Sequence, residues 1–268
     1  MALTADQQAL ADTITAVLAR DAEIEAAWLA GSLGRGDGDA FSDVDVLILV
    51  ADRSAAEVGL RYAADLSAIA EPALVNPLYG CRIVNVVTTD WRRFDLSFVE
   101  AGDLARYDSA KLQPLFNRGR RAPPSREPQP YRATAESVLP LINEFLRVAG
   151  LLPVAVGRQE WILALSGLEI LRRLTVDLML EENGVGPAER GGALRRNPFL
   201  TLEQRAALEG LAPAGADRDR LFVANQEIAA VFLPRARRLA ERVGAEWPSV
   251  FEEATRRHLL AQVGLELP

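Results

Sequence analysis

Cysteine, histidine and lysine each occur once in the 268-residue chain, as Cys81, His258 and Lys111. A single cysteine excludes an internal disulfide framework and any cysteine-cluster zinc site. A single histidine excludes His-rich metal sites and leaves a histidine-based triad nothing but the far C-terminus. The lone lysine follows Tyr-Asp-Ser-Ala rather than a glycine-rich loop. A Walker-type phosphate loop needs its lysine directly after the second loop glycine, so that class is excluded. Positive charge is in short supply: 30 Lys and Arg stand against 37 Asp and Glu, for a net charge of −7. A nucleic-acid partner would demand a basic stripe and is not expected. No run reaches the roughly eighteen continuous apolar residues of a membrane helix, and no basic segment leads into an apolar run at the N-terminus. A cytoplasmic protein without membrane association is the expectation.

The rest of the composition, 49% hydrophobic and 25% charged, is that of a globular chain able to bury a sizeable core. Thr4 can cap a helix over residues 4–21, in which Leu10, Ile14, Val17 and Leu18 recur at helical spacing. A short apolar run over 26–30 reads as a buried strand, followed by the glycine-rich stretch Gly31-Ser32-Leu33-Gly34-Arg35-Gly36-Asp37-Gly38. Residues 43–50, β-branched and apolar, form the best strand in the chain. A second helix is expected over 54–69. Runs at 82–88 and 93–99, separated by Thr89-Asp90-Trp91-Arg92, read as antiparallel neighbours. Prolines and the basic cluster Arg118, Arg120 and Arg121 then interrupt regular structure. Beyond them helices are expected over 133–149, 155–182, 201–210, 217–242 and 247–263, the second stopped by Asn183-Gly184. The expected architecture is an α/β (α+β) domain with a mixed sheet over residues 1–110, a linker over 111–132, and an all-α helical bundle over 133–268.

The chemistry is concentrated in Gly31-Ser32, a ten-residue gap, and Asp43-Val44-Asp45. Side chains alternate along a strand, so Asp43 and Asp45 share one side, while Val44, Val46, Ile48 and Val50 face helices on the other. Around Asp95 the pattern repeats, with Phe94, Leu96 and Phe98 on the apolar side. If the two strands adjoin, three carboxylates share a patch on the uncovered face of the sheet. Crowded acids repel, and a divalent cation accounts for keeping them. Mg²⁺ takes hard oxygen ligands, commonly one or two carboxylates plus substrate phosphates. Paired ions of this kind can stabilise both the attacking and the leaving oxygen of an in-line displacement. At the Gly31-Ser32 turn glycine lets backbone N–H groups approach a phosphate, Ser32 adds a hydroxyl and Arg35 a fixed charge.

Residues 31–36 and 42–46 resemble the signature of the polymerase-β-like nucleotidyltransferase superfamily, and Phe94-Asp95-Leu96-Ser97 resembles its third-carboxylate strand. The resemblance covers about residues 20–100. It implies that Asp43 and Asp45 bind Mg²⁺ and the nucleoside triphosphate, that Asp95 completes the metal site or acts as general base, and that Gly31, Ser32 and Arg35 hold phosphates. Residues 154–161, with Arg158-Gln159-Glu160, resemble the helical domain of bacterial enzymes that adenylylate aminoglycosides and lincosamides. That resemblance implies transfer of AMP from ATP to a small-molecule hydroxyl acceptor, and a possible homodimer. The cleft between the two domains is the expected site, because ligands favour domain interfaces. Glu160, near a helix start, could take the proton of the acceptor hydroxyl, although the helix dipole alone favours a glutamate there. Whether Asp95 or Glu160 is the base stays open. So do a protein or RNA acceptor and a non-catalytic, antitoxin-like nucleotide-binding module.

Overall fold

A computed structural model of the chain describes residues 3–127, 129–190 and 196–268. The chain divides into two compact units, Met1–Pro128 and Gln129–Pro268.

The first unit is built on a six-stranded mixed sheet ordered β3-β4-β5-β2-β1-β6. Its strands are β1 (Ile24–Leu29), β2 (Val44–Val50), β3 (Pro72–Leu78), β4 (Ile83–Thr88), β5 (Arg93–Val99) and β6 (Gln113–Asn117). The neighbours β2 and β5 run parallel, and every other pairing is antiparallel. A parallel pair needs a crossover. Helix α3 (Ala55–Ala64) and the β3–β4 hairpin supply it. Helix α1 (Ala5–Leu18) places Leu10, Ile14 and Leu18 at helical spacing against one face of the sheet. There they join Val44, Val46, Ile48 and Val50 of β2 and Phe94, Leu96 and Phe98 of β5.

On the other face Leu47 and Leu49 are covered by Leu104, Tyr107 and Leu112, from a segment that contains two short 3-10 helices, Ala101–Arg106 and Ser109–Lys111. The face expected to be bare is therefore roofed along much of β2, and the stretch around Asp45 and Asp95 is what stays half-exposed. Residues 113–117, expected within the linker over 111–132, instead form β6, which pairs with β1 from Ala26 to Leu29. Proline is tolerated on an edge strand, where half of the ladder is unpaired anyway, and Pro114 sits there opposite Trp28. Pro128, in the same expected linker, lies outside the described residues.

In the second unit α4 (Ala135–Gly150), α6 (Trp161–Glu182) and α9 (Arg218–Arg242) enclose the core, joined by α5 (Leu152–Gly157), α7 (Pro187–Arg190), α8 (Leu202–Glu209) and α10 (Ser249–Val263). Phe145 of α4 stacks on Phe232 of α9 with ring centroids 3.8 Å apart. The stretch Ala135–Gly157 is long and apolar enough to cross a membrane by length and composition, but Val138, Ile142, Phe145 and Leu146 spend its apolar face on this core. The helix expected over 155–182 is two helices. Gln159 takes a left-handed conformation (φ 59°) and Glu160 becomes the N-cap of α6.

Candidate active site

Pairing of β2 with β5 sets Asp45 directly opposite Asp95, and pairing of β5 with β4 sets Asp95 opposite Asn85. Three polar side chains thus form a row across three strands on the half-exposed stretch of the sheet. Asp43 precedes the ladder, which starts at Val44. It reaches the same patch electrostatically, raising the pKa of both Asp45 and Asp95. Burial, then the charges of Asp43 and Asp95, push Asp45 up to about 7, against opposing influences from Arg35 and Arg93. Asp95 is also raised, chiefly by burial and further by Asp43, although Asn85 donates a hydrogen bond to it and Arg93 lies near. The patch holds more negative charge than its neighbours balance.

The glycine-rich stretch is a short helix, α2 (Gly31–Arg35), rather than an open turn. It follows β1 directly, and Ala30 N–H donates to the Asp45 carbonyl at 2.8 Å. Gly31 adopts φ 55°, and a Cβ there would stand 1.7 Å from Asp45 Oδ2. Only glycine gives both the left-handed backbone and that close approach. Gly34 is pressed as tightly: a Cβ would lie 2.5 Å from the Leu29 carbonyl oxygen and 2.8 Å from that of Lys111. Gln113 of β6 donates to the Leu33 carbonyl at 2.9 Å and ties the helix to that strand. Ser32 is half-buried on α2. Arg35 is half-exposed, with Asp37 at 3.3 Å, and its charge is felt at Asp45.

Two side chains beside the patch escaped the sequence reading. Arg93 lies two residues before Asp95 on the same strand face, and its guanidinium donates to the Phe41 carbonyl at 2.8 Å. Asn85 touches Asp95. Strand alternation, which picks out Asp95, would have flagged Arg93 as well. Nothing in the sequence pairs Asn85 with Asp95, because that pairing depends on hairpin register. The basic cluster is not at the patch: Arg118 donates to the carbonyls of Ala19, Asp21 and Ile24, and Arg121 pairs with Glu25 at 3.3 Å. Those partners lie just before or at the start of β1, whereas α2 follows its end. Glu160 belongs to the second unit, exposed at the N-cap of α6 with no capping hydrogen bond of its own.

The donors suit a hard cation, because carboxylate oxygens with uncompensated charge are what Mg²⁺ prefers. Among the described residues no three Asp, Glu, His or Cys side chains form a ready-made cage. The remaining ligands would have to come from phosphate and water.

A crowded carboxylate pair on a mixed sheet thus stands beside a short glycine-rich helix. Residues 12–90 match the family model described as polymerase beta, nucleotidyltransferase, which places a nucleotidyltransferase domain in the first unit. The match includes Gly31, Ser32, Arg35, Asp43 and Asp45 and ends before Asp95. Among solved structures, an aminoglycoside 6-adenyltransferase from Bacillus subtilis is similar at 15% identity, covering 96% of this chain and 98% of that one, with a TM-score of 0.44. No curated protein matches the chain.

Proposed function

We propose that the chain transfers AMP from ATP to a hydroxyl of a small molecule, with an aminoglycoside-like antibiotic as the favoured acceptor class. The observation that carries this reading is the in-register juxtaposition of Asp45 and Asp95, with Gly31 packed onto the Asp45 carboxylate. The acceptor oxygen forms a bond to the α-phosphorus, the α–β phosphoanhydride bond breaks, pyrophosphate leaves, and the hydroxyl proton passes to a carboxylate, Asp95 or Glu160. Asp43, Asp45 and Asp95 would hold Mg²⁺, which neutralises charge developing on the phosphates. Backbone amides at Gly31 and Ser32, the Ser32 hydroxyl and the Arg35 guanidinium orient the triphosphate. Arg93 shares this work, since its charge is felt at both carboxylates, whereas that of Arg35 is felt at Asp45. An acidic chain also suits a polycationic acceptor, which its field would draw in.

Incubation with ATP, Mg²⁺ and a panel of aminoglycosides and lincosamides, read by pyrophosphate release and by the mass of the acceptor, tests the proposal. Asp45→Asn should lower the rate by about 10²–10³-fold, the scale of losing an electrostatic stabiliser in a preorganised site. Wild-type protein that releases no pyrophosphate with any acceptor, or an Asp45→Asn variant that keeps its rate, would reject it. Labelled AMP on a protein substrate would move the acceptor class, and nucleotide binding that needs no Mg²⁺ and leads to no turnover would replace the enzyme by a binding module.

A further inference from the structure

Gln7 occupies a position with an ordinary explanation that accounts for half of what it does. Thr4 and Gln7 form a capping box at the start of α1: Gln7 N–H donates to Thr4 Oγ1 at 3.2 Å, and Gln7 Oε1 accepts from Thr4 N–H at 2.9 Å. Glutamate serves a capping box as well as glutamine, and its charge suits a helix N-terminus better. Glutamate has no donors, however, and the Gln7 amide nitrogen uses both of its own. It donates to the Asp39 carbonyl at 2.8 Å and to the Ser42 carbonyl at 2.9 Å, across more than thirty residues of sequence. The side chain is 8% exposed, so these bonds are made away from water, where an unmade one is costly.

The segment it grips leads straight into Asp43. Within it, Ser42 N–H donates to the Asp39 carbonyl at 3.1 Å, Phe41 N–H donates to Asp39 Oδ1 at 2.9 Å, and Asp39 N–H donates to Ser42 Oγ at 3.0 Å. Arg93 holds the Phe41 carbonyl from β5. Asp43 therefore stands between a clamped Ser42 and Val44, the first residue of the β2 ladder. We propose that Gln7 is a positioning residue, whose amide fixes the 39–42 loop and thereby sets Asp43 for metal and nucleotide. The inference rests on the functional reading above and adds to it a residue of α1 that touches no reacting group.

Gln7→Glu separates the two roles, since it keeps the capping box and replaces both loop donors with a carboxylate facing two carbonyls. Amide hydrogen exchange at Phe41 and Ser42 should quicken by about 10-fold or more while Leu10 to Leu18 keep their protection. Mn²⁺ binding, followed by electron paramagnetic resonance on the full chain, should weaken by roughly 10-fold, and kcat should fall by about 10–100-fold with the acceptor KM unchanged, as expected for a ligand displaced by a fraction of an ångström. Unchanged exchange in the loop overturns the proposal, and so does faster exchange with unaltered Mn²⁺ affinity and kcat. Should Gln7→Glu fail to fold, Gln7→Met is measured in its place; failure of both to fold makes Gln7 a folding determinant and overturns the proposal too. Absence of transfer by the wild type would reject the functional reading alone, because exchange and Mn²⁺ binding still decide the role of Gln7.

Discussion

A carboxylate with its pKa pushed up to about 7 is a liability to the fold that carries it. In the unfolded chain Asp45 would titrate at the ordinary value near 4. Below that pH both states hold the proton and Asp45 costs nothing. Above it the unfolded chain releases a proton that the folded chain keeps, so stability falls as the pH rises through 7, where the loss is complete. Asp45→Asn removes the charge while keeping the shape. In EDTA at pH 8 it should stabilise the first unit by about 1–3 kcal/mol, less than the full shift implies because water reaches the patch. The gain should vanish near pH 4. Added Mg²⁺ should raise the stability of wild type and leave the variant unmoved. Urea titrations at the two pH values check this, and a variant equally stable or weaker at pH 8 would contradict it. Asp45 and Asp95 were legible in the sequence because a strand's period of two is visible in one dimension; Asp43 was expected on the same strand, which instead begins one residue later, at Val44. Asn85 and the clamp on Asp39 and Ser42 were not legible, since hydrogen bonds across tens of residues leave no local pattern. Arg93 was legible by the same alternation as Asp95, but a cation two residues from an acid reads as ordinary surface charge until the strand beside it is known.

Among the elements, α2 shows what the glycine-rich stretch is for. No helix was expected there, and glycine is a poor helix former. Packing overrides that preference: Gly34 lets the helix lie against the carbonyls of Leu29 and Lys111, and Gln113 ties it to β6. Gly34→Ala must move backbone, costing about 1–3 kcal/mol as overpacking does, and it should lower nucleotidyl transfer by re-aiming Ser32. Gly36→Ala is the control. Its φ is 78° and nothing lies within 4 Å of a Cβ, so it should cost about 1 kcal/mol in backbone strain with little loss of rate. Denaturation midpoints and rates for the pair separate crowding from dihedral strain. The same logic explains the elements that the sequence hid. Strand β3 is exposed along almost its whole length and contains Pro72 and Pro77, and β6 contains Pro114. Both are edge strands, where the apolar alternation that betrays a strand is not required. The break before α6 follows Gly157, the last residue of α5, and turns on a left-handed Gln159; a single glycine is no firm stop signal, so the expected helix ran through it.

For the molecule as a whole, each unit has hydrophobic clusters of its own among the described residues: the two beneath and above the sheet draw on residues up to Phe116, and the helical one begins at Ala133. Each unit therefore carries its own reason to fold. The second carries a buried carboxylate of the opposite kind to Asp45. Glu252 of α10 is 5% exposed and accepts from Trp247 Nε1 at 2.8 Å, from Arg256 at 2.9 and 3.1 Å, and from Arg237. Burial alone would lift its pKa; these donors outweigh burial and hold it below the ordinary value. A depressed folded pKa stabilises at neutral pH, and the contribution is lost as pH falls from about 4.3 through the folded value. Glu252→Gln should then cost about 1.5–3 kcal/mol at pH 7, the scale of hydrogen bonds to a charged group, and progressively less below pH 4. The two variants act in opposite directions and on different cores. Calorimetry at pH 7–8 should show Asp45→Asn raising one unfolding transition and Glu252→Gln lowering the other, with each leaving its counterpart in place. A single transition moved by both variants would mean that the two cores unfold as one cooperative body.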